Sequence, residues 1–97
     1  MKNLFFSLVF LFSVNAFAIP DKYESEIKQF IYNNLKDINY KQKILDNMKS
    51  YHNYFLKKGD NYAANKLGVT IYYIEVFDIE SLSDEQMQVI LFFIKNV

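Results

Sequence analysis

The chain of 97 residues contains no cysteine, arginine or tryptophan, and it has only one proline, one histidine and two glycines. Without thiols it cannot be stabilised by disulfides or hold a thiolate metal centre. Without arginine it lacks the bidentate group that clamps phosphates and carboxylates. Its two glycines, Gly59 and Gly68, are too few for a phosphate-cradling loop or a dinucleotide fingerprint. We therefore expect no cofactor.

The charges of the chain balance. Lysine supplies all 11 basic residues, which face 11 acidic ones, so the formal net charge is zero and the pI is near 6.6. This balance provides no basic field for nucleic acid. His52 is the only imidazole, whereas metal sites built from imidazole or thiolate need several ligands. No nucleophile motif is present either. We predict a protein that is not an enzyme and binds neither metal nor nucleic acid.

The first eighteen residues have the pattern of a secretory signal peptide. Met1-Lys2-Asn3 gives a positive start, residues 4–14 are apolar apart from two serines, and Ala16-Phe17-Ala18 places small residues where a signal peptidase reads them. The apolar run is about 11 residues long, shorter than the roughly 20 that span a bilayer. The sequence predicts cleavage after Ala18, a single mature domain over residues 19–97, and a periplasmic location for a bacterial or phage product.

Four later segments carry the apolar periodicity of amphipathic helices. They cover residues 21–38, 39–58, 60–78 and 83–95. No repeat, low-complexity tract or flexible linker separates these segments. We therefore predict an all-α fold, a small four-helix bundle-like domain.

Short polar residues mark the predicted helix starts, because their side chains accept hydrogen bonds from the free amides of a first turn. The predicted caps are Asp21, Asn39, Asp60 and Ser83. Ser83 and Gln86 have the spacing of a capping box. Gly59 is placed to end the second helix in the left-handed conformation.

The third segment carries features of both a helix and a strand. Residues 69–77 are rich in β-branched and aromatic side chains and follow Gly68, which is typical of a β-strand. A helix is favoured because no turn signal separates them from residues 61–66, and a lone strand would have no partner. Since apolar residues occupy more than one face, we expect a central, buried helix. The alternative is an α+β fold with residues 69–77 as a strand.

Aromatic residues are in excess, at 19% of the chain with eight tyrosines. A domain of this size cannot bury them all, and tyrosine is common in protein interfaces because it offers both area and a hydroxyl group. Tyr54, Tyr62, Tyr73 and Phe93 fall outside the main apolar stripes. We predict an exposed contact patch there, with Tyr54, Tyr62 and Tyr73 as partner-binding residues. The alternative is that a second layer of core takes them.

Export, small size and missing catalytic residues favour a binding protein that masks or inhibits a protein partner. Inhibitors, immunity proteins and phage lysis or exclusion factors act in this way. A different possibility is a self-associating structural or chaperone-like periplasmic module that hides its apolar helices in a homodimer. A third is weak contact with a membrane surface through Phe92, Phe93 and Lys95.

Overall fold

A computed structural model describes residues 19–96. The predicted signal peptide lies outside the described residues and stays a prediction. Within these residues the chain forms four helices: α1 (Asp21–Leu35), α2 (Ile38–Lys58), α3 (Asn61–Glu75) and α4 (Asp84–Lys95). No strand occurs within residues 19–96, so the predicted all-α class is confirmed.

The four helices pack around one apolar cluster. Both α2 and α4 contact each of the other three helices, and the contact between α2 and α3 is the most extensive. Burying a large apolar side chain stabilises the fold by about 1.5–3 kcal/mol. The largest fully buried apolar side chains are Ile31, Leu35, Ile44, Met48, Phe55, Leu67, Ile74, Met87, Val89 and Ile90. Each helix therefore contributes to the same core.

Two helix starts were predicted at the correct residue. Ser83 accepts a hydrogen bond from the amide of Gln86 at 3.2 Å, and the Gln86 side chain accepts one from the amide of Ser83 at 2.8 Å. Asp60 accepts from the amide of Ala63 at 3.1 Å. The caps at Ser83 and Asp60 are thus confirmed.

The predicted caps at Asn39 and Asp21 are wrong. Asp37 caps α2, because its carboxylate accepts from the amides of Asn39 and Tyr40 at 2.9 and 3.1 Å. The cap position of α1 is Pro20, which makes no side-chain hydrogen bond there, and Asp21 is already the first helical residue. Asp21 still places a negative charge in the first turn, where the helix dipole favours it.

The ambiguous third segment forms a helix as far as Glu75, not a strand. The expectation that this helix is central and buried is wrong, because residues 19–96 cover only one of its two apolar faces. The covered face consists of Ala63, Ala64, Leu67, Thr70, Ile71 and Ile74. The opposite face is open to solvent and is described below.

Candidate functional site

One exposed apolar surface of the described residues is the uncovered side of α3. Tyr62, Val69, Tyr72 and Val76 are 46% to 59% exposed and follow one another at spacings of seven, three and four residues. Such spacings place the four side chains on one side of a helix. We call these four residues the α3 outer face. Because α3 already buries its other face in the core, the outer face is available for an external contact.

The borders of the α3 outer face carry charges that are paired within the molecule. The ammonium group of Lys49 on α2 lies 3.2 Å from the carboxylate of Glu75 on α3. On the other side, Lys66 of α3 lies 3.7 Å from Glu85 of α4. The outer face itself has no charged member. This arrangement suits an apolar partner surface better than a charged one.

A close approach between α2 and α3 shapes the surface beside the outer face. The imidazole ring of His52 lies against Gly68, where an added Cβ would come within 3.3 Å of Nε2. His52 and Gly68 line a shallow groove together with Asn65, Val69 and Tyr72. The imidazole ring leaves little room for a side chain at this position, which explains a glycine in the middle of α3. The groove extends from the outer face toward α2.

The predicted tyrosines do not form one cluster. Tyr62 belongs to the α3 outer face and carries the Lys66 ammonium group 5.5 Å from its ring centroid. Tyr73 is half-buried on α3 and packs against the core. Tyr54 lies on a different helix, is 37% exposed and contacts the ring of Phe55. Their role in partner binding stays a prediction. Tyr62 is the most solvent-exposed of the three.

Phe93 does not belong to an exposed patch. It is only 3% exposed, and its ring lies edge-on to Tyr51 with centroids 5.4 Å apart. The prediction of an exposed Phe93 is wrong, because α4 turns this side chain into the core. The same burial removes Phe93 from any contact with a membrane surface. Burial also raises the pKa of the Tyr51 phenol above its usual value.

The sequence predicts a third helix that is apolar on more than one face and therefore buried, although Tyr62 and Tyr73 of that helix are predicted as exposed contact residues. Tyr73 was predicted to be exposed, whereas the exposed tyrosine at that turn is Tyr72. Apolar periodicity shows that Val69 and Val76 share a face, but it does not show whether another helix covers that face. The small number of predicted helices could have indicated this, because few helices are left to cover both sides of α3.

A second concavity lies between α1 and the α3–α4 connector, with a volume of about 570 Å³. Lys28 crosses it, with its ammonium group 3.1 Å from the Glu24 carboxylate and donating to the carbonyl oxygen of Glu80 at 2.8 Å. The rings of Tyr32 and Phe77 face each other there with centroids 5.3 Å apart. These groups contact one another across the cleft, so their role is to hold the connector against α1.

The described residues offer little for other kinds of site. Across residues 19–96, no group of three or more His, Cys, Asp or Glu side chains is placed to hold a metal ion. None of the four described helices is both long and apolar enough to cross a membrane. The chain matches no protein-family model, no curated protein and no solved structure.

Proposed function

We propose that this chain is a non-enzymatic periplasmic binding protein that masks or inhibits another protein through the α3 outer face. The observation that supports this most directly is the exposure of Tyr62, Val69, Tyr72 and Val76 on one side of a helix. Aromatic and aliphatic side chains gathered on an exposed surface are typical of interaction sites. The α3 outer face is the part of the described surface best suited to this role.

The dimensions of the outer face indicate the shape of the partner. A helix of 15 residues is about 22 Å long, and four half-exposed side chains supply only a few hundred Å². A specific interface buries roughly 800 Å² on each partner. A second α3 laid against this one would bury too little area. A groove that takes in the helix and both of its borders would bury more, so we assign the outer face to a partner protein with an apolar groove.

The paired charges at the borders predict how binding responds to salt. Lys49 and Lys66 are already neutralised by Glu75 and Glu85, so a neutral groove can approach without leaving a charge unpaired. We expect the affinity to depend mainly on apolar burial and to change little with ionic strength.

The test uses matched tyrosine variants of the predicted mature chain, residues 19–97. Tyr72→Ala removes a member of the outer face, whereas Tyr23→Ala removes a tyrosine of α1 that is 45% exposed. A partner is recovered from periplasmic extract with the parent chain, and its affinity for each purified variant is then measured by calorimetry. We expect Tyr72→Ala to weaken binding at least thirtyfold, corresponding to about 2 kcal/mol for an interface anchor. Tyr23→Ala should bind as the parent does.

Equal loss of affinity in both variants would contradict the assignment of the binding surface to α3. Light scattering of the parent chain distinguishes the self-associating alternative. A dimer that dissociates in Tyr72→Ala would show that a second copy, not a groove-bearing partner, covers the outer face.

A further inference from the structure

The first described residue is hydrogen-bonded to the first residue of α4. The backbone nitrogen of Ile19 donates to the Oδ2 atom of Asp84 at 3.0 Å, across 65 residues of sequence. Asp84 is the first residue of α4, and the Ile19 side chain packs against the core. This contact joins the segment that leads into α1 to the N-terminus of α4.

The position of Ile19 coincides with the predicted cleavage site. In the uncleaved chain its nitrogen is a neutral amide with a single hydrogen. Hydrolysis of the Ala18–Ile19 bond consumes one water molecule, leaves a carboxylate on Ala18 and leaves an amino group on Ile19, which is protonated at neutral pH. An ammonium group donates stronger hydrogen bonds to a carboxylate than an amide does.

We infer that Asp84 is the acceptor for the α-ammonium group of Ile19 once the Ala18–Ile19 bond has been hydrolysed by a signal peptidase. Cleavage then replaces a neutral hydrogen bond by an ion pair and fastens α1 to α4. The domain is less firmly closed before export and more firmly closed after it. This inference depends on the predicted cleavage after Ala18 and is independent of partner binding.

The charges around the contact leave Asp84 available for this role. Its neighbour Glu85 is paired with Lys66 of α3. On α1, Asp21 and Lys22 are exposed and carry opposite charges. Asp84 is half-buried and stands in the first turn of α4, where the helix dipole favours a carboxylate. The ammonium group would add the positive charge that balances it.

The experiment compares three N-termini on the same domain. The first chain begins at Ile19 with a free amine, obtained from a fusion whose protease leaves no extra residue. The second begins at Ile19 but is N-acetylated, and the third begins at Ala18, which moves the charge one residue away. At pH 6.5 we expect the free Ile19 amine to lower the unfolding equilibrium constant about three- to tenfold relative to the other two.

Two variants test whether Asp84 is responsible for the difference. In Asp84→Asn the three N-termini should have equal stability, whereas in Glu85→Gln the advantage of the free Ile19 amine should remain. Because a carboxylate raises the pKa of an ammonium group, the advantage should be complete at pH 6.5, decrease from about pH 8 and disappear as the pH rises toward 10. Acylation of the Ile19 amine at pH 7 should be about three- to tenfold slower in the parent than in Asp84→Asn.

Equal stability of the three N-termini in the parent would overturn the inference. An advantage that persists in Asp84→Asn would overturn it as well, because the ion pair would then not be its cause. Mass spectrometry of the exported protein tests the processing step separately. A mature chain that begins at any residue other than Ile19 would remove the basis of the inference while leaving the binding role of α3 untouched.

Discussion

Gly59 and Phe77 occupy equivalent positions in two turns of the same type, one at the end of α2 and the other at the end of α3. Gly59 has a φ angle of 78° and Phe77 has 57°. In each case the amide of this residue donates to the carbonyl three residues back, and the next amide donates to the carbonyl five back. Glycine adopts this left-handed conformation freely, whereas a residue with a Cβ pays about 1–2 kcal/mol. The ring of Phe77 offsets that cost by contacting Tyr32 and lying under Lys41.

The two turns provide a matched test of backbone strain. At Gly59 an added Cβ meets no atom within 4 Å, so Gly59→Ala should lose about 1 kcal/mol of stability through the backbone alone. At position 77 we expect Phe77→Gly to be more stable than Phe77→Ala by a similar amount, because both lose the ring but only glycine relieves the strain. Urea unfolding measures all three variants. A Phe77→Ala protein more stable than Phe77→Gly would contradict the strained assignment.

The two faces of α3 predict opposite results for two nearby substitutions. Ile71 is 6% exposed, and a buried unpaired carboxylate costs several kcal/mol, so Ile71→Asp should unfold the domain. Val69 is on the outer face, so Val69→Asp should keep its helical circular dichroism and melting temperature but lose partner binding. If Ile71→Asp melts like the parent, the orientation of α3 is wrong.

The sequence was sufficient to predict the helices, because periodicity and caps are properties of residues close together in the chain. The cap of α2 was predicted at Asn39 and lies at Asp37; both are short polar residues, and residue type alone does not distinguish them. The left-handed conformation of Phe77 could not be predicted from the sequence either. Its contacts with Tyr32 and Lys41 form only after the helices have packed.

The candidate site could be predicted in part. Periodicity showed that α3 has two apolar faces, and Tyr62 was correctly placed off the main stripe. Whether a face is covered depends on how many helices surround it, and no local pattern reports that number. The same limit explains the error at Phe93, whose ring packs against Tyr51 of α2 as well as against the adjacent Phe92, and the contact with α2 forms only after the helices have packed.

Alanine substitutions at two tyrosines of α3 should have different effects on stability. Tyr73 packs against the core, so Tyr73→Ala should lower the free energy of unfolding by about 2 kcal/mol. Tyr62 is more than half exposed, and Tyr62→Ala should change it by about 0.5 kcal/mol or less. Denaturant unfolding at constant pH measures both. Equal losses would show that Tyr62 is part of the packed structure and not an open contact residue.

The phenol of Tyr51 predicts how the fold responds to alkaline pH. Burial raises the pKa of Tyr51 above its usual value, so above about pH 10 the unfolded chain releases this proton while the folded chain keeps it. The free energy of unfolding therefore falls as the pH rises from 10, and Tyr51→Phe should fall less steeply between pH 9 and 11. Tyr62→Phe, which removes a phenol hydroxyl at an exposed position, is measured alongside as the matched variant. If the curves of Tyr51→Phe and the parent stay parallel, the Tyr51 phenol ionises as readily in the folded chain as in the unfolded one, and its packing against Phe93 leaves it open to water.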